Sequence, residues 1–466
     1  MDNIDFSAPV TVVQAAMGTG ETHSLIAWLK KLPKTTRVLL LATNRHFARY
    51  FLTLFNNDEN NLDFKLYLDG TDSRGHNRMI CFADAIYRLI GQNGCKIYDF
   101  VIISEITSFL EQMNLPQHRV QLSDNRKVLE AFVKACKHLI LMDSDIDQRT
   151  TVFLNWLKKD IPVNYIHNTR KRDDDIKIEV EIVSLGMFIT EFIRFVKEGK
   201  RIYVPCSSTI MGETLQLICD NLKVNSIFFW GGDHLDVIVN INKRIIEYQV
   251  CIATTTVSVG VSIDIKHFDY VFVYASNESN TVPQIENFDY SFVYEINESN
   301  TVRRLKQVWS RCREILLNKM YMYINDNKSS EPSTMDDLRQ DIKYRIDYYI
   351  TKSSEHDQLS CWQQFDIELQ NGWVIEKNSW NELTLMNILA VNISKNNYRQ
   401  LMIQTINDEG FTIVEGIPCL SEKDEKTISS ALLVISSKIK DIKAGKLDNI
   451  SLAELVKNFV NTSGDI

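Results

Sequence analysis

Short unbroken apolar runs alternate along this chain with stretches whose apolar positions recur every three or four residues. Residues 10–13, 37–42, 99–104 and 138–142 are runs of the first kind, and each predicts a strand buried on both faces. Residues 22–32 follow the first of them with helical spacing and are closed by Pro33. A strongly charged stretch at 170–175, Arg-Lys-Arg-Asp-Asp-Asp, reads as a solvated loop or linker. The alternation then resumes. Residues 176–184, 201–205, 226–230 and 249–254 predict strands, and 188–197 and 211–222 predict helices.

Continuous apolar strands separated by helices imply parallel sheets covered on both faces. Two such sets in succession predict an α/β fold of two RecA-like parallel-sheet lobes. The expected limits are 1–170 for the first lobe and 171–330 for the second. From 331 to 466 the pattern is helical and polar, with amphipathic segments at 430–440 and 452–460. That region is expected to be a mostly α-helical accessory part.

Residues 267–286 and 287–306 form a tandem repeat. His267-Phe-Asp-Tyr-Val-Phe-Val-Tyr recurs as Asn287-Phe-Asp-Tyr-Ser-Phe-Val-Tyr, and Asn-Glu-Ser-Asn-Thr-Val follows at both 277 and 297. Two copies do not make a solenoid, which requires about three. The pattern is that of a duplicated strand and loop. One copy is expected in the sheet, the other as a surface hairpin or an extra edge strand.

Composition changes this picture little. The chain has 466 residues, 44% hydrophobic and 24% charged, which is ordinary for a globular protein able to bury a sizeable core. Its net charge of −8 does not advertise nucleic-acid binding, although a local basic groove is compatible with any overall charge. Nine scattered cysteines without a CxxC pair suggest reduced intracellular thiols. The N-terminal Met-Asp-Asn-Ile-Asp is unlike a signal peptide. No apolar run is long enough to span a bilayer, so no membrane is expected.

The candidate chemistry begins at 15–22, Ala-Ala-Met-Gly-Thr-Gly-Glu-Thr. A strand leading into a glycine loop and then a helix is the setting of a phosphate loop, whose backbone N–H groups point at phosphates. Gly18, Thr19, Gly20, Glu21 and Thr22 are the candidate binding residues, with Thr22 also a metal ligand. Glu21 stands where the pattern requires lysine, so it opposes an anion. The second expected feature is an apolar strand ending in Asp-Glu, which serves Mg²⁺ and the attacking water. Here Val101-Ile-Ile runs into Ser104-Glu105, which keeps the glutamate and puts serine at the metal position. His138-Leu-Ile-Leu-Met-Asp143-Ser144-Asp145 ends a strand in a polar turn, which in two-lobed motors couples nucleotide state to the cleft and by itself is only a loop. In the second lobe, Thr254-Thr-Thr-Val-Ser258-Val-Gly260-Val-Ser262 offers small residues at which a nucleic-acid phosphate can approach the backbone. Gln307-Val-Trp-Ser310-Arg311-Cys-Arg313 offers two arginines suited to a γ-phosphate.

Taken in order, and with Ile80-Cys81-Phe-Ala-Asp-Ala-Ile-Tyr-Arg-Leu between them, these segments resemble the herpesvirus-type replication origin-binding proteins, superfamily 2 DNA helicases. The best local match starts at Val257-Ser-Val-Gly-Val-Ser-Ile-Asp264-Ile-Lys-His267-Phe268. The resemblance covers roughly residues 8–320, and more faintly 392–398. It implies a nuclear, ATP- and Mg²⁺-dependent helicase that binds a replication origin or single-stranded DNA, with other replication proteins as partners. Carried over, Gly18, Gly20 and Thr22 would contact phosphate and Mg²⁺, Glu105 would activate water, and Gln307, Arg311 and Arg313 would sense nucleotide. Glu21 for lysine, Ser104 for aspartate and Ser310 for glycine depart from the family.

Three readings remain. One is a helicase whose ATPase is impaired by Glu21 and Ser104. The second is a non-enzymatic DNA-binding or scaffold protein that kept the fold. The third is an active ATPase in which another cation replaces the lysine.

Overall fold

A computed structural model describes residues 4–463 except 17, 69–75, 92–93, 115–118, 170–176, 231–240, 256–262, 264, 278–300, 311, 313–314, 326–328, 353–366, 370–372, 376, 415–418 and 444–449. The described residues within Met1–Arg172 and Glu331–Ile393 form one compact unit. Those within 173–330, together with Ser394–Ile466, form the other.

The first unit is built on seven parallel strands: β1 (Val10–Ala15), β2 (Val38–Ala42), β3 (Lys65–Leu66), β4 (Arg78–Phe82), β5 (Phe100–Ser104), β6 (His138–Asp143) and β7 (Val163–Asn168). Their order is β3-β4-β2-β5-β6-β1-β7. Every position of β2, β4 and β5 is buried, which is why the sequence shows apolar runs at β2 and β5. Helices α1 (Glu21–Leu29), α2 (Arg45–Phe55), α3 (Ile106–Gln112), α4 (Arg119–Ala135) and α5 (Gln148–Leu157) connect them. Asn44 caps α2 by accepting from Phe47 N at 2.9 Å, and Asp147 caps α5 by accepting from Arg149 N at 2.9 Å.

The second unit repeats the plan with β8 (Glu179–Ile182), β9 (Ile202–Cys206), β10 (Ser226–Phe229), β11 (Val250–Thr254), β12 (Phe268–Ser276), β13 (Ile315–Asn325) and β14 (Thr412–Val414). All are parallel, in the order β10-β11-β9-β12-β13-β8-β14. Helices α6 (Leu185–Lys197), α7 (Thr209–Asn221) and α8 (Val302–Trp309) belong to this unit. The two parallel sheets with their helices are the two RecA-like lobes expected.

Residues 331–466 are mostly helical, as expected: α9 (Met335–Lys352), α10 (Ser379–Asn396), α11 (Tyr398–Asp408), α12 (Glu422–Lys443) and α13 (Ile450–Ser463). Their described residues are shared between the two units. Within this region Glu331–Ile393 belongs to the first unit, and β14, α11, α12 and α13 belong to the second. Burial explains both attachments. On α10, Asn381, Thr384 and Asn387 are buried against the first unit's helices. On α12, Ile428, Leu432, Ile435 and Ile439 join Phe188, Phe192 and Leu215 in one apolar cluster.

Of the tandem repeat, the first copy supplies β12 between β9 and β13. Residues 278–300, which include most of the second copy, lie outside the described residues.

Candidate functional site

Parallel register brings three strand ends to one edge of the first sheet. Gln14 on β1 lies beside Asp143 on β6, and Ser104 on β5 lies beside Met142. In open parallel sheets, ligands are met outside the carboxyl ends of the strands.

β1 runs into the glycine loop. Gly18 and Gly20 have φ of 79° and 93°, a left-handed backbone that glycine adopts without penalty. A Cβ at Gly20 would meet nothing within 4 Å, so conformation rather than space requires glycine there. Thr19 folds back on the loop, donating from Oγ1 to Ala16 O at 2.7 Å. Gly20 caps α1, and its carbonyl accepts from Ser24 N and Oγ, both at 3.0 Å. Glu21 is therefore the first residue of α1, with half-buried Thr22 next.

β5 ends at buried Ser104, and Glu105 follows with φ 56° as the cap of α3. A non-glycine residue in that region is uncommon and marks a constrained turn. β6 ends at Asp143, which is buried. Its carboxylate accepts from Thr107 N at 2.8 Å and Asp145 N at 2.9 Å, and Thr107 Oγ1 donates to Asp145 O at 2.9 Å. The 143–145 turn is thus latched to the first turn of α3, immediately after Glu105.

Burial, then the carboxylates of Glu105 and Asp143, push the Glu21 carboxyl well above the ordinary carboxylate range. Its Oε1 is buried without a hydrogen-bond partner, although the residue as a whole is only half-buried. Glu21 thus lies near Glu105 and Asp143, and Ser104 stands at the end of β5 on the same sheet edge. Asp143 is the addition, because in sequence its turn reads only as a loop.

The family chemistry implies ATP with Mg²⁺ at this edge. The hydroxyls of Thr22 and Ser104 are neutral donors, Glu105 and Asp143 are carboxylates, and Glu21 supplies no positive charge where the pattern requires lysine. Among the described residues, no group of three or more His, Cys, Asp or Glu side chains is arranged to hold a metal. A triphosphate finds no cation in this set and does not fit it.

The second-lobe candidates divide differently. Gln307, on α8, is fully buried, as are Leu305 and Val308 beside it. Arg311 and Arg313 lie outside the described residues, as do residues 256–262 with Ser258, Gly260 and Ser262.

A basic and aromatic rim follows β2 and β4 and was not evident from the sequence. Arg45 and Arg88 are exposed; His46 and Arg49 are half-buried. His46 Nδ1 and Arg49 Nε are buried without hydrogen-bond partners. Burial, then Arg45 and Arg49, hold the His46 imidazole below its usual value. Arg88 Nε donates to Tyr87 Oη at 2.8 Å, with its guanidinium 5.4 Å from that ring's centre. The signal was available in Asn44-Arg45-His46, a helix cap followed by two basic residues directly after an apolar strand.

Comparison with known proteins bears on this geometry. A family model described as origin of replication binding protein matches residues 3–172 and 147–354. The replication origin-binding protein of human herpesvirus 6B is 28% identical over 288 residues, covering 57% of this chain and 34% of that protein. That of varicella-zoster virus is 25% identical over 349 residues, covering 69% and 39%. The chain thus spans well under half the length of these relatives. Among solved structures it is similar to the DEAD-box helicase Mss116 bound to ssRNA and UDP-BeF, at 12% identity and a TM-score of 0.49, covering 77% of this chain and 83% of that one. No helix among the described residues is long and apolar enough to cross a membrane.

Proposed function

Since the chain belongs to the origin of replication binding protein family, we propose that it is a helicase-like DNA-binding module of DNA replication whose own nucleotide cycle is impaired. The observation that carries this reading is Glu21. A carboxyl stands at the start of α1, in the field of Glu105 and Asp143, with one oxygen buried and unpartnered. Two unit charges about 4 Å apart interact by about 4 kcal/mol at an effective dielectric of about 20. Losing the attraction of a lysine there weakens phosphate binding by about three decades. Ser104 removes a second charge, the one that would hold a metal.

DNA engagement rests on other groups. Arg45, Arg49 and Arg88 present guanidinium donors, and Tyr87 an aromatic face, along the same edge. Such groups bind phosphates and stack on bases without needing a nucleotide cycle. This rim favours the second reading, a DNA-binding scaffold that retains the helicase fold. Interaction with an origin or single strand, residence in the nucleus and association with other replication proteins follow by resemblance.

A titration with fluorescent Mg·ATP tests the nucleotide part. The wild-type chain is expected to bind negligibly at millimolar nucleotide, and Glu21→Lys with Ser104→Asp to bind measurably. Wild-type binding and turnover at micromolar ATP would overturn it. Single-stranded DNA binding, followed by anisotropy, is expected to be independent of ATP. It should fall about tenfold or more in Arg45→Ala/Arg49→Ala/Arg88→Ala, with a shallower salt dependence. An unchanged affinity in that triple variant would remove the rim from the reading.

A further inference from the structure

The strand at the centre of the second sheet is written twice in the sequence, and its surroundings show how the two versions differ in fitness. β12 alternates between two apolar clusters. Val271, Val273 and Ala275 face one, and Tyr270, Phe272 and Tyr274 face the other. The second copy repeats the latter face without change, as Tyr290, Phe292 and Tyr294. The former face is altered: Ser291 stands for Val271 and Glu295 for Ala275, with Val293 kept. Val271 and Ala275 are both fully buried in a strand paired on both sides, to β9 and β13. A glutamate in the place of Ala275 would carry its carboxyl into an apolar cluster, the costliest kind of burial.

The flanking positions agree. His267 bonds through Nε2 to Tyr248 O at 2.8 Å, and the second copy has Asn287. Ser276 N donates to Ser207 Oγ at 2.8 Å, and Asn325 Nδ2 donates to Ser276 Oγ at 3.4 Å. The second copy has Ile296 there, which cannot accept that bond.

The helix start is drawn from the other copy. Thr301 caps α8, accepting from Arg304 N at 3.3 Å, and Val302 and Leu305 are buried. The first copy retains the equivalents Thr281, Val282 and Ile285. The fold therefore uses the strand of copy one and the helix start of copy two, with residues 277–296 spliced between two halves of one original strand–helix unit.

We propose that the β12 position is a two-candidate slot, that Ala275 and Val271 select the first copy, and that residues 277–296 are a removable unit. Either strand can reach α8. With copy one the connection is 277–301, and with copy two it would be 297–301. The slot is then a latent fold switch, held to one threading by side chains on one face of one strand.

Two deletions of equal length in the full chain form a matched test. Removing 277–296 joins Ser276 to Asn297 and keeps the copy-one strand. Removing 267–286 joins Lys266 to Asn287 and keeps the copy-two strand. The products differ only at the positions of 267, 271, 275 and 276. The first is expected to be soluble and to unfold within a few degrees of the intact chain, since the connection entropy changes slowly with length. The second is expected to unfold at a temperature lower by roughly ten degrees or more, or to aggregate. Adding Ser291→Val, Glu295→Ala and Ile296→Ser to it is expected to restore folding. Hydrogen exchange on the intact chain gives an independent reading. Peptides of 268–276 should be protected over those of 288–296, and exchanging the residues of 271 with 291 and of 275 with 295 should move protection to the second copy. Failure of the 277–296 deletion to fold, equal stability of the two deletions, or protection that stays with 268–276 after the exchange would each overturn the proposal.

Discussion

The first residue of α1 is pulled two ways. A helix N-terminus favours an anion by about 0.3–1 kcal/mol, so an acidic residue there is ordinarily a mild stabiliser. At Glu21, burial and the two facing carboxylates outweigh that gain and raise the carboxyl. The sign of its pH dependence follows. The folded-state value lies above the unfolded one, so the stability gained from the protonated form is fully present below the ordinary carboxylate range. It is lost as pH rises through the raised value. Glu21→Gln keeps the shape and cannot ionise. Its unfolding temperature relative to the wild type is therefore expected to rise steadily from about pH 5 upward. Thermal unfolding of both proteins between pH 5 and 9 checks this, and parallel profiles would show that Glu21 is solvated as an ordinary surface carboxylate.

At the scale of elements, α10 is attached to the first unit by polar groups. Arg149 and Glu111 pair at 3.1 Å, both nearly inaccessible, and Arg149 Nη1 also donates to Asn387 Oδ1 at 2.7 Å. Arg126 donates to Asn114 Oδ1 at 2.6 Å and to Thr384 Oγ1 at 3.2 Å, and lies 4.9 Å from the centre of the Trp380 ring. Trp380 Nε1 in turn donates to Glu130 at 3.0 Å. Arg149→Met leaves Glu111 buried without its charge partner and is expected to cost about 3–5 kcal/mol. Lys426→Ala breaks the exposed pair with Glu422 and is expected to change stability by less than about 0.5 kcal/mol. Urea unfolding of the two variants checks the contrast, and similar losses would mean that the buried seam is solvated. This seam also explains which elements the sequence reveals. β2, β5 and β6 are legible because both faces are apolar. β13 is hard to read because Leu316 and Leu317 are exposed and Asn318 breaks the run at φ 51°. The attachment of α10 is hard to read because Asn381, Thr384 and Asn387 are polar yet buried, and a polar residue paired in a core looks like a surface residue in a hydropathy pattern.

At the scale of the molecule, the same reasoning separates what the candidate site disclosed in advance. The glycine loop and Ser104-Glu105 are local patterns at strand ends, legible from a few neighbouring residues. The approach of Asp143 to Glu21 depends on the register of β1 against β6, a pairing between segments more than a hundred residues apart. The division of residues 331–466 is equally non-local, and it makes a prediction that an accessory region would not. A chain ending at residue 330 would lose α10 from the first unit, removing Asn387 from Arg149 and Thr384 from Arg126 and Asn114 in a buried surface. It would also lose α12 and α13 from the second unit, uncovering the cluster around Phe188, Phe192, Leu215 and Ile218. Unsatisfied buried polar groups and an exposed apolar face both favour aggregation. The 1–330 fragment is therefore expected to be largely insoluble, and any soluble part to be cut rapidly by protease under conditions where the full chain resists. Soluble yield and limited proteolysis measure this. A soluble, cooperatively unfolding 1–330 fragment would mean that the two lobes are complete without residues 331–466, and that those helices are an accessory layer after all.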